Sequence, residues 1–98
     1  MEQILKTVDM AGGYYHHVGL KEGLLMIIDN DLEDYNCRIM KAPFKKLNES
    51  EYCEYIFEGD WDLTHVFATQ DYGVEDVDTL KTVEQINELM EQIFRDIK

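Results

Sequence analysis

The chain of 98 residues carries 21 Asp and Glu against 9 Lys and Arg, a formal net charge of −12, with 45% of its residues apolar. That composition suits one small folded domain spanning 1–98, and its charge disfavours direct contact with nucleic acid or an anionic lipid surface, because phosphates are repelled. The longest apolar run, Leu24 to Ile28, falls far short of the roughly 20 residues that span a bilayer, and Glu2, Lys6 and Asp9 interrupt the stretch where a secretory leader would be apolar, so a cytoplasmic protein is expected.

From the N-terminus, Ile4, Leu5 and Val8 fit either a helical face that Gly12-Gly13 would close or a strand. Tyr14 to Leu20 reads as a strand that turns at Lys21-Glu22-Gly23. A hairpin follows, from Leu24 to Asp29 through the turn residues Asp29-Asn30-Asp31 to the weakly alternating Tyr35 to Ala42. Cys53, Tyr55 and Phe57, then Trp61, Leu63, His65 and Phe67, recur at period two, which predicts a second hairpin of about 51–58 with 62–69. The competing reading is a short helix capped by Asn48 with Glu51 three residues on, in which Tyr52, Cys53, Ile56 and Phe57 share one face.

The C-terminal end is the clearest segment. Val83, Ile86, Met90, Ile93 and Ile97 are spaced 3, 4, 3 and 4 apart, with Leu89 and Phe94 widening the stripe. Thr82 and Gln85 form a capping-box pattern, and Arg95 and Lys98 stand where the helix dipole favours cations, so a helix is predicted over about 82–97. The expected fold is therefore α+β: an antiparallel meander of about four to five strands with this helix on one sheet face and the opposite face toward solvent.

No motif identifies a reaction. Cys37 and Cys53 lie 16 positions apart in no CxxC pair, which predicts free thiols in a cytosolic chain. His16 and His17 are adjacent, so on a strand they point to opposite faces and cannot share one metal ion. His65 falls in the apolar phase of its predicted strand and is expected at the edge of the core. Asp29-Asn30-Asp31-Leu32-Glu33-Asp34 opens like a calcium loop, but positions 6 and 12 are Asp34 and Met40 where glycine and glutamate are required. Ser50, the only serine, sits in no nucleophile turn, and Gly12-Gly13 lacks the flanking pattern of a phosphate loop. A protein without catalytic residues, metal or cofactor is expected.

Charge placement is informative. Residues 29–37 sum to −4, residues 38–48 to +4 through Arg38, Lys41, Lys45 and Lys46, and residues 49–78 hold ten carboxylates and no Lys or Arg. These carboxylates interleave with Tyr52, Tyr55, Phe57, Trp61, Phe67 and Tyr72, and exposed Tyr or Trp would act as anchors inside a charged rim. Crowded like charges repel, and a basic partner relieves that repulsion. If extended, Glu58, Asp60 and Asp62 present anions roughly 6.6 Å apart on one strand face, a sparse imitation of duplex DNA with one charge per roughly 1.7 Å. The residues expected to bind a partner are Glu54, Glu58, Asp60 and Asp62, with Tyr55 and Trp61 as anchors.

In size and charge alone the chain resembles the small acidic proteins with which phages and mobile elements block host nucleases, including anti-restriction and anti-CRISPR proteins. The resemblance implies a non-enzymatic inhibitor, monomeric or homodimeric, that occludes the nucleic-acid groove of a basic protein, a nuclease or another nucleic-acid-binding protein. An immunity protein against a nuclease toxin follows the same physics. The alternatives are a homodimerising module that uses the C-terminal helix or a sheet edge, and a small-ligand domain built around His65, Cys53 and nearby carboxylates.

Overall fold

A two-residue connection organises the centre of the molecule. In the computed structural model, which describes residues 4–32 and 34–97, Glu22 and Gly23 both have positive φ, 52° and 80°. That is the type I′ geometry whose twist matches a tight hairpin. It joins β2 (Tyr15–Lys21) to β3 (Leu24–Asp29) with Lys21 opposite Leu24. With β1 (Ile4–Asp9), β4 (Cys37–Lys41) and β5 (Leu63–Phe67) these strands form one antiparallel five-stranded sheet in sequence order. Ile4, Leu5 and Val8 are thus on a strand, not a helix. Of the residues in the charge reading, Glu2, Glu33 and Lys98 lie outside the described residues.

The sheet is covered on both faces. On one, α2 (Val83–Asp96) packs Ile86, Leu89, Met90, Ile93 and Phe94 against Met26, Ile28, Cys37 and Ile39. Thr82 and Gln85 complete the capping box that the spacing predicts, the Thr82 hydroxyl accepting from the Gln85 N–H at 3.1 Å. The segment between β5 and α2, with Tyr72, Val74, Val77 and Leu80, packs in the same cluster.

The other face was expected to be bare, and it is not. Residues 49–58 form α1 (Glu49–Glu58) rather than a strand of a second hairpin. Asn48 accepts from the Glu51 N–H at 3.1 Å to start the helix, and Gly59, at φ 71°, ends it by donating to the Tyr55 carbonyl. Tyr52, Cys53, Tyr55 and Ile56 supply a helical stripe, and they meet Val8, Val18, Leu20, Leu25, Ile27 and Met40. Helical spacing thus overrode the period-two pattern, since a strand here would leave the apolar α1 face of the sheet open to water.

The Trp61-Leu63-His65-Phe67 alternation also fails to mark one face. Leu63 pairs with Met40, while His65 pairs with Ile39, so the ladder slips at this point. The extra residue changes the phase of everything beyond it. Leu63 and Val66 fall on the α1 side, His65 and Phe67 on the α2 side. His65 is exposed and lies parallel to the Phe67 ring, centroids 6.1 Å apart, instead of edging the core.

Among the described residues, no helix is long and apolar enough to cross a membrane. Cys37 and Cys53 are free, one beneath α2 and the other on α1, so the sheet separates them. Burial pushes the Cys37 thiol up to about 12, which keeps it protonated and unreactive.

Candidate binding surface

The ten carboxylates of 49–78 do not form one face. Glu49, Glu51, Glu54, Glu58, Asp60 and Asp62 belong to α1 and the linker after it, on one side of the sheet. Asp71, Glu75, Asp76 and Asp78 belong to the segment that packs with α2, on the other. Two of the first group meet lysines: Glu49 lies 3.3 Å from Lys6 and Asp62 3.9 Å from Lys41, and such exposed pairs hold little energy.

What remains on the α1 side is ordered by the helix itself. Glu51, Glu54, Tyr55 and Glu58 recur at i, i+3, i+4 and i+7, so they occupy one stripe. Together with Pro43 and Phe44 they line a shallow groove of about 200 Å³. The Phe44 and Tyr55 rings meet edge to face at 6.2 Å, which gives the groove an aromatic wall beside its carboxylates. Glu51, Glu54 and Glu58 are exposed, and among the described residues none of them has a cation within ion-pair distance. Phe57, on another side of the helix, is 92% exposed instead of joining the core.

The residues expected to bind a partner therefore divide. Glu54, Tyr55 and Glu58 come together in the groove, joined by Glu51 and Phe44. Asp60 and Asp62 are exposed on the turn beyond Gly59, no longer in a straight row with Glu58. Trp61 is half-buried in the α1 cluster with the Arg38 guanidinium 4.3 Å over its ring, so it braces the linker from below. Tyr52 is fully buried and is no anchor. Glu51 and Phe44 were missed because a strand reading places Glu51 among the apolar residues of its neighbours and gives Phe44 no helix to face.

Beneath α1 lies a buried polar chain. His16 and Asp29 face each other across β2 and β3, the ring Nε2–H donating to the Asp29 carboxylate at 3.0 Å. The Tyr52 hydroxyl lies 2.7 Å from His16 Nδ1, and the Arg38 guanidinium donates to the same Asp29 oxygen at 3.1 Å. The Asp31 N–H supplies a further donor at 2.7 Å. Burial alone would raise the Asp29 pKa, but the His16 hydrogen bond, the Asp31 N–H and the His16 and Arg38 charges outweigh it and hold the carboxyl below its usual range. A tyrosine, a histidine and an aspartate in series resemble an acid–base relay. Here burial raises the Tyr52 hydroxyl pKa and keeps the group from any substrate, so the chain of contacts ties α1 to the sheet. His17 points to the opposite face, as adjacent strand residues must. Among the described residues, no three His, Cys, Asp or Glu side chains are grouped to hold a metal ion.

Comparison of the chain with protein-family models, with curated proteins and with solved structures finds no match.

Proposed function

We propose that the protein is a non-enzymatic inhibitor that lays the acidic stripe of α1 into the nucleic-acid groove of a basic partner, with a nuclease the partner class of first choice. The observation that carries this reading is the conjunction of Glu51, Glu54 and Glu58, unpaired among the described residues, with the Tyr55–Phe44 aromatic wall in one groove. Carboxylates spaced along a helix face accept the forked N–H donors of arginine, and a tyrosine beside them supplies desolvated contact area. The four carboxylates on the far side of the sheet contribute long-range field and no contact.

Reversal of Glu51, Glu54 and Glu58 to lysine tests the reading. At about 1 kcal/mol per exposed charge, the triple variant is expected to bind the partner roughly a hundredfold more weakly, with an unchanged circular dichroism spectrum. Wild-type and variant proteins are used to capture partners from lysate at low and high salt, and the captured protein is then titrated with duplex DNA in competition. Wild type competes with DNA and loses its hold as salt rises; equal competition by the variant defeats the reading.

A second reading rests on β5, whose outer edge has no strand partner among the described residues and whose Leu63 and Val66 are 45% and 43% exposed. An unprotected edge pairs readily with a second copy. Light scattering at two concentrations separates the readings: a mass that doubles with concentration, with no salt-sensitive basic partner, favours homodimerisation.

A further inference from the structure

We infer that the groove occupied on the partner is one that binds single-stranded nucleic acid, and that the Phe57 ring takes the place of an unstacked base on an aromatic side chain of that groove. The inference rests on the inhibitor reading and names the kind of nucleic acid that the protein displaces.

The placement of Phe57 carries it. The ring is 92% exposed, whereas Phe44, Phe67, Phe94 and Trp61 are buried or half-buried in the two apolar clusters. A single exposed apolar side chain is ordinary in itself. This one stands at the border of the acidic stripe. Three residues turn an α-helix through about 300°, so Phe57 follows Glu54 at about 60° round the helix, on the side away from Tyr55. Glu58 comes directly after it, and Asp60 stands just beyond the Gly59 cap. Glu54, Glu58 and Asp60 are all exposed, and among the described residues none is in an ion pair. An aromatic face is thus held in water with unpaired anions on both sides of it along the chain.

This arrangement matches a single strand and not a duplex. Glu51, Glu54 and Glu58 form one row of anions at steps of roughly 5–6 Å between Cβ atoms, whereas a duplex offers two rows and one charge per roughly 1.7 Å of its axis. In a duplex the base faces are stacked out of reach between the rows, so a groove shaped for it has no contact for an exposed ring. A single strand splays its bases out, and the proteins that bind it combine a basic track for the backbone with aromatic side chains on which the bases stack. The carboxylates of α1 suit the track and Phe57 suits the platform. A phenyl ring has a π-face and no hydrogen-bonding edge, which fits a platform that accepts any base. Charge also argues against a second copy of this chain as the occupant, because another molecule of net charge −12 would be repelled by Glu54 and Glu58.

The test compares wild type with F57A, F57L and F57W, all of which retain the fold because the side chain at 57 is exposed. The partner captured by its salt-sensitive hold is loaded with fluorescein-labelled oligothymidylate or, separately, with a labelled duplex, and each protein is titrated in. The partner is expected to bind the oligothymidylate and wild type to displace it. F57A and F57L should need about tenfold or more higher concentrations, the loss of one base–aromatic stack, and F57W, which restores a π-face, should recover the displacement. If E51K/E54K/E58K fails to displace while F57A matches wild type, the acidic stripe stands and the role of Phe57 is overturned. A partner that binds the duplex alone overturns it as well, as does F57L equal to wild type, which would put plain apolar burial in place of stacking. A wild-type mass that doubles with concentration and stays single in F57A assigns the ring to a second copy and overturns it too. Equal displacement by E51K/E54K/E58K, or capture of no salt-sensitive partner, overturns the inhibitor reading and this inference with it.

Discussion

Asp29→Ala is expected to destabilise the protein by about 3 kcal/mol, because it strips a buried carboxylate shared by His16 and Arg38 and leaves the half-buried guanidinium uncompensated. Asp29 is 5% exposed and accepts from both of these side chains and from the Asp31 N–H. Urea unfolding at neutral pH measures the loss. Arg38→Met in the Asp29→Ala background should restore part of it, since the isolated charge is then gone. If the double variant is no more stable than the single one, the carboxylate acts through the turn at Asp31 and not through the ion pair.

The same carboxylate sets the sign of the acid response. Its native pKa lies below its unfolded value of 3.8, so its contribution is fully present above that value and is lost as pH falls through the lower native one. His17 acts earlier. Its native pKa lies below 6.5, so the unfolded chain takes the proton first and stability declines as pH drops below 6.5 toward the native value. The stability profile of Asp29→Ala should therefore keep the His17 slope and flatten in the carboxylate range.

How much of this was legible depended on whether local pattern and burial agreed. At 83–96 they did: a 3.6-residue period, a capping box and an apolar stripe all name the same helix, and α2 forms there. The turn at Glu22-Gly23 was equally plain, because glycine supplies a positive φ directly after a strand-like run. At 49–58 the patterns disagreed, since Cys53, Tyr55 and Phe57 obey period two while Tyr52, Cys53 and Ile56 obey the helical period. The second apolar face of the sheet decided between them, and that face is a property of β1 to β4, not of the local residues. The candidate groove was half visible for the same reason: Glu54, Tyr55 and Glu58 fall in it under the helical reading, while Phe44 arrives from a separate loop. The contacts of Thr7 with His17 and of Tyr15 with Asp78 were invisible, because these residues meet only through the register of β1 with β2 and the return of the chain beside them.

Tyr52→Ala is expected to cost about 3–5 kcal/mol, the range for truncating a large buried aromatic, and to loosen α1 before the rest of the fold. Tyr52 is the one fully buried residue of the helix, whereas α2 buries Ile86, Leu89, Met90, Ile93 and Phe94. The layer over the α1 face therefore hangs on far fewer contacts than its counterpart, and its local opening should be the cheaper of the two. Tyr52→Phe separates packing from polarity: it keeps the ring and leaves His16 Nδ1 without the hydroxyl, at about 1–3 kcal/mol. Native-state hydrogen exchange reads both variants residue by residue. Protection should fall across 49–58 in each, more in the alanine variant, while 83–96 changes only with global stability. If the acidic stripe of Glu51, Glu54 and Glu58 is the binding surface proposed above, Tyr52→Phe should also weaken that binding through ordering cost alone, because the stripe rides on this helix. Equal exchange in α1 and α2 after either substitution would show that Tyr52 does not govern the helix, and that the acidic stripe is held in place by contacts other than the buried Tyr52–His16–Asp29–Arg38 chain.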